Sequence, residues 1–281
     1  MTTRVRDTAR SYNLILMAQS TNSETEDNRG ILEILSAGAE IAGGAAGAAA
    51  GLMVAGPVGA LIGGVGGPVL TNVLKKLGAE VHRRLLGPRE QQRVGAVVAF
   101  AVERIKQRLD SGEEVRSDGF FHPGSEGRPA AEEVYEGVIL AVQREHEEKK
   151  LPFMGNLMAN LAFQKDIDRP YANYLVRLAD NLSYRQLCLL LLFALKDKSM
   201  LRASDYRSVP SFSPALIGVL QEALELDQRG LTGSGSAAFG PSDINPAKST
   251  TQGAGVSLLL LMELQKLPPQ DTQSLIAILA K

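Results

Sequence analysis

Chemistry needs particular side chains at particular spacings, and this 281-residue chain offers few of them. A Ser/His/Asp or Cys/His set needs a base held beside a nucleophile. Here there is one Cys, and the three histidines, His82, His122 and His146, lie far apart in the chain. Cys188 sits in LCLLLLF, where a thiol serves as a small apolar filler. Glu145, His146 and Glu147 bring three metal-ligand types together, but the Glu-x-x-His spacing of carboxylate di-metal helices is missing. Gln143 stands three before His146. Glu132-Glu133 and Glu147-Glu148 are adjacent, and neighbours on a helix diverge by about 100°. They cannot converge on one bond and read as surface charge. With no Trp and 5% aromatic residues, stacking platforms for bases or sugars are thin. The sequence predicts a non-enzyme with no catalytic residue, no metal site and no cofactor.

One spacing does point to physical action. Residues 41–74 run thirty-four positions without a charge, with ten Gly and eight Ala. Gly43, Gly47 and Gly51 stand four apart, as do Gly59, Gly63 and Gly67. On a helix i and i+4 share a face, so each set forms a smooth groove of the small-xxx-small kind through which helices associate in lipid. In water Gly costs about 0.8–1 kcal/mol relative to Ala in a helix, so a soluble core gains little from this composition. Gly56-Pro57 and Gly66-Gly67-Pro68 break the stretch. As a hairpin its arms, 41–55 and 58–74, are about 22 and 26 Å long at 1.5 Å per residue. Both fall short of a hydrocarbon core about 30 Å thick. The expectation is a Gly/Ala-rich helical hairpin that enters a membrane incompletely or conditionally. The alternative is a hairpin buried in a soluble protein. A phosphate-binding loop is excluded, because no Gly-Lys-Ser/Thr ending follows.

The elements around this stretch divide the chain. Residues 1–30 are polar and read as a mobile tail. No secretory signal is recognisable there, and no Cys is available nearby for a lipid anchor. Residues 31–87 hold the hairpin and then VLTNVLKKLGAEVHRRLL, where Val69, Val73, Leu77, Val81 and Leu85 recur every four residues. Lys75, Lys76, Arg83 and Arg84 occupy its other face, which predicts a basic amphipathic helix facing anionic lipid. Basic residues directly after an apolar segment tend to stay cytoplasmic. Docking of the same stripe on the next domain is the alternative.

Residues 88–200 read as a helical bundle domain. Val94, Val97, Val98, Ala101, Val102, Ile105 and Leu109 make one stripe over 91–109, and 110–129 is a loop with Phe120-Phe121 tucked onto the core. A helix is expected over 130–150, its end REHEEKK a solvated face. Further helices are expected over 151–163, 170–181 and 184–195, with Ser183 capping the last. That last run is apolar on nearly every side, as a central helix is.

The run EHEEKKLPFMGNLMANLAFQKDIDRPYANYLVRLADNLSYRQLCLLLL joins a charged helix, Asn-Leu-x-Ala-Asn, a short break and Leu-Ser before a leucine-rich helix. This pattern, within about residues 141–195, resembles the helical region of bacterial abortive-infection proteins of the Abi-alpha type. The resemblance implies phage defence or a related stress role and transfers no catalytic residue. The Gly/Ala stretch is no part of it.

Residues 201–281 read as a small winged-helix-like unit: a helix over 214–226, the excursion 232–255 as its wing, then helices over 256–266 and 271–281. Residues 205–281 carry five Lys/Arg against seven Asp/Glu. A DNA-binding face needs several phosphate-neutralising cations, so no nucleic acid is expected and a protein trigger is the partner predicted for this region. The net charge of −1 and the lone Cys suit a reducing compartment without nucleic-acid binding. The fold class expected is mainly α. The function expected is a phage-defence effector that perturbs the membrane as a homo-oligomer. It would sit at the cytoplasmic face of the inner membrane, or in the cytoplasm until triggered. The alternative is a soluble helical adaptor that binds partner proteins.

Overall fold

The computed structural model describes residues 73, 87–123 and 127–280. The described chain is mainly helical, with eight α-helices and one pair of two-residue strands.

Helix α1, Pro88–Asp110, starts where the backbone N–H of Gly87 donates to Glu90 Oε2 at 2.8 Å, with Pro at its first position. Its predicted stripe is buried at Val94, Val97, Ala101 and Ile105. It ends at Ser111, and Gly112 follows with φ 87°, a conformation that favours glycine. Phe120 and Phe121 are indeed buried, edge-on to each other and to Tyr135 of α2, Ala130–Arg144. Helix α3, Leu151–Leu161, lies hard against α1. A Cβ on Gly155 would stand 2.5 Å from Phe100 Cβ and 2.9 Å from the Val97 carbonyl oxygen, so glycine sets this close approach.

Helix α4, Arg169–Asn181, packs on α2. The central helix α5, Tyr184–Ala194, is capped as expected: Ser183 Oγ accepts from Gln186 N, and Gln186 Oε1 accepts from Ser183 N in return. Nine of its eleven residues are buried, because α6 (Pro214–Gln228), α7 (Ala254–Leu261) and α8 (Pro269–Leu279) surround it. One continuous core therefore runs from α1 to α8.

The excursion over 232–255 has a paired base. Strands β1 (Thr232–Gly233) and β2 (Thr250–Thr251) pair antiparallel, Thr232 opposite Thr251. Thr251 Oγ1 donates to the Leu190 carbonyl of α5 at 2.6 Å, and Lys196 Nζ holds Thr250 Oγ1 at 2.7 Å.

Three expectations are corrected. The helix predicted over 130–150 ends at Arg144, and a separate 3-10 turn covers Glu148–Lys150. The REHEEKK run is a solvated face only in part: Arg144, His146 and Lys149 are exposed, but Lys150 is 1% exposed and Glu145 is buried. The two form an ion pair, and Lys150 Nζ donates to the Leu182 carbonyl at 2.7 Å, at the C-terminal end of α4. There an ammonium meets both orphan carbonyls and the negative end of the helix dipole. Glu147 Oε2 meanwhile accepts the N–H of Tyr184, so the turn fastens α4 and α5 together. The third correction concerns 256–266, where the helix stops at Leu261 and Glu263 turns left-handed before a 3-10 turn over Leu264–Lys266.

Candidate functional site

The sequence-predicted site residues Gly43, Gly47, Gly51, Gly59, Gly63, Gly67, Lys75, Lys76, Arg83 and Arg84 lie outside the described residues. Among the described residues no helix is long and apolar enough to cross a membrane. Val73, on the stripe of the basic helix, is helical and 2% exposed and belongs to the core.

The feature that stands out in the described body is a buried polar junction at the C-terminal end of α7. Its source is the Asn-Leu-x-Ala-Asn run, Asn156 to Asn160 on α3. Four residues apart, the two amides share one face of an otherwise apolar helix. Asn156 Nδ2 donates to the Met262 carbonyl at 3.2 Å, and Asn160 Nδ2 to the Leu261 carbonyl at 2.8 Å. The last carbonyls of a helix have no partner within it, and here side chains of another helix supply the donors.

Glu263 completes the junction. It is the one non-glycine residue with positive φ among the described residues, at φ 55° and ψ 48°. Its carboxylate is buried and accepts from Arg104 Nε at 2.6 Å and from Asn160 Nδ2 at 3.1 Å, while Lys266 Nζ lies 2.9 Å from Oε2. Burial alone would raise this carboxyl, but Lys266, Arg104 and Asn160 outweigh burial and hold it below the usual carboxylate value. Arg108 joins the network: Nη1 donates to Asn160 Oδ1 at 2.7 Å, its fork also engages Glu113, and its guanidinium lies 4.3 Å from the Phe163 ring centroid. A left-handed residue carrying a buried charge persists only where its surroundings over-determine it. Here α1, α3 and the turn after α7 all do so.

A second feature is the turn over 239–243 within the 232–255 excursion. Asp243 Oδ2 accepts from the backbone N–H of Phe239 at 2.8 Å and of Gly240 at 3.0 Å, and Arg207 Nε holds Oδ1 at 2.7 Å. The Phe239 ring is 86% exposed on this pinned backbone.

Cys188 is buried, and burial, with the Asp271 carboxylate next, pushes its thiol up to about 12. It lies in the core and is not a thiolate nucleophile at neutral pH. Among the described residues no group of three His, Cys, Asp or Glu could hold a metal ion, and Glu145 is committed to Lys150.

Sequence reasoning missed the junction. The signal available was two amides at i and i+4 on an apolar helix, which must find donors and acceptors if buried. Comparison with protein-family models, with curated proteins and with solved structures gave no match.

Proposed function

We propose that the chain is a non-enzymatic effector of the abortive-infection type, acting on the cytoplasmic face of a membrane as a homo-oligomer. Residues 41–74 are the acting part, and the helical body is its holder. The observation that carries this reading is the charge-free stretch with glycine four apart on two faces, a pattern suited to helix association in lipid. In this reading all membrane insertion falls to residues outside the described ones. The body supports a contact role: its polar junction fixes the C-terminal unit on α1 and α3, and the wing holds Phe239 out toward a protein trigger. Nucleic acid is a poor partner, since α6 carries Glu222, Glu225 and Asp227 and no Lys or Arg.

Val73 favours a second reading. Its burial in the core suits a 69–86 helix docked on the body instead of lying on lipid. That is the soluble adaptor. Fractionation of cells expressing the full chain separates the two. Retention in the pellet after a carbonate wash is the result expected of the membrane effector. Recovery in the soluble fraction without detergent would replace it with the adaptor.

A further inference from the structure

Helix α1 has one stretch that is closed to water all round. Val94, Gly95, Ala96, Val97 and Val98 are all buried. Successive helix positions point about 100° apart, so five in a row leave no open side. A single row shows how local this is. Gln92, Ala96, Ala99, Glu103, Lys106 and Asp110 follow one another at three or four positions and share a face. Gln92, Glu103, Lys106 and Asp110 are exposed, Ala99 is half-buried, and Ala96 is 0% exposed. Among the described elements α2 and α3 pack on α1, and both leave the row open at Glu103, Lys106 and Asp110. A Cβ on Gly155 of α3 would meet α1 at Val97, Phe100 and Ala101. Gly95 lies on the side of the helix opposite those three, so a neighbour beyond α3 covers this turn.

Val73 and the length of chain before α1 say which. Val73 is helical, 2% exposed and part of the same continuous core. It belongs to the stripe Val69, Val73, Leu77, Val81 and Leu85, and Gly87-Pro88 separates that stripe from α1. Two helices joined by so short a break run antiparallel as a hairpin. Both arms rise about 1.5 Å per residue from Gly87. Val73 stands fourteen residues before Gly87 and Ala101 fourteen after it, so the two are level. Leu77 then falls beside Val97, and Gly78 beside Ala96. The stripe starts at Val69, level with Ile105, and Pro68 breaks the chain there. Lys106 and Asp110, beyond that level, are exposed.

We infer that residues 69–86 fold back at Gly87-Pro88 and dock, stripe down, on α1 over Gly95, Ala96 and Ala99. The inference deepens the reading that Val73 favours, by naming where the stripe docks and in which register. Residues 41–67 take no part in it, so the docking and the cell fractionation can fail separately.

The test is disulfide formation in the purified full chain under mild oxidation, with linked peptides identified by mass spectrometry. The buried Cys188 is left in place. Adjacent helices stand about 8–10 Å apart, and facing cysteines with Cα atoms within about 7 Å can bridge. Two pairs test the register, Leu77→Cys with Ala96→Cys and Leu74→Cys with Ala99→Cys. Two control pairs test its alternatives: Leu77→Cys with Lys106→Cys is out of level, and Lys76→Cys with Ala96→Cys is on the wrong face. Melting of the reduced variants shows which are folded. Linking of a folded test pair and its loss in both controls supports the docking. No linking of either test pair, or controls that link as readily, overturns it.

Discussion

The side-chain amide of Asn160 donates to the carboxylate of Glu263 across 3.1 Å, although the two residues stand 103 positions apart. The same nitrogen also donates to the Leu261 carbonyl. One amide therefore closes a helix end and fixes the charge that follows it. The pair ties the turn after α7 to α3, within the continuous apolar core that α3 and α7 share.

Asn160→Ala removes both bonds and leaves the Leu261 carbonyl, Arg108 Nη1 and part of the Glu263 carboxylate without partners. Buried groups orphaned in this way cost about 1–3 kcal/mol each in mutational series, with partial relaxation. The expected loss in urea unfolding of the full chain is about 2–4 kcal/mol. Asn181→Ala, an exposed amide bonded only to its own turn, is the control and should cost less than about 0.5 kcal/mol. Equal effects from the two would remove the junction from the account.

Acid should find the same place. The Glu263 carboxyl is held below its ordinary value, so the folded state binds its proton less readily than the unfolded chain does. The stabilisation is therefore complete above the ordinary carboxylate range and is lost as pH falls through the lower, folded value. Urea midpoints from neutral to acidic pH should fall more steeply for the wild type than for Glu263→Gln, which carries no titrating group there. Parallel curves would mean that Arg104 and Lys266 do not hold this charge as the geometry implies.

Two glycines give opposite expectations. At Gly155 a Cβ would run into Phe100 and the Val97 carbonyl, so Gly155→Ala must push α1 from α3. Overpacking of this kind costs about 1–3 kcal/mol. At Gly137, inside α2, the nearest atom is Val176 Cγ1 at 3.5 Å, an ordinary contact. Gly137→Ala should stabilise by about 0.5–1 kcal/mol through helix propensity alone. Thermal melting reads both signs.

Local signals were legible in the sequence where they were complete in themselves. The α1 stripe, the Ser183 cap, the tucked Phe120-Phe121 pair and the all-round apolar α5 each follow from residues within a few positions of one another. Legibility failed where a residue's partner is distant. Glu145 and Lys150 look like surface charge until the ends of α4 and α5 arrive beside them. LLLLMELQK reads as one helix because nothing nearby announces that Asn156 and Asn160 will take its last carbonyls. Glu263 then leaves the helix through a conformation that a glutamate seldom adopts, held by Arg104 from 159 positions away.

The central claim, that the glycine faces of residues 41–74 bring helices together in lipid, is tested most directly by dye release from anionic liposomes. The full chain is compared with Gly63→Leu and Val65→Leu. On a helix Gly63 stands in the Gly59/Gly63/Gly67 row and Val65 does not. Both changes leave the segment more apolar, so partition into lipid is not lost. If close approach of helices is what opens the membrane, bulk at Gly63 abolishes release, and Val65→Leu releases dye as the wild type does. Release by Gly63→Leu at the wild-type rate would contradict the account.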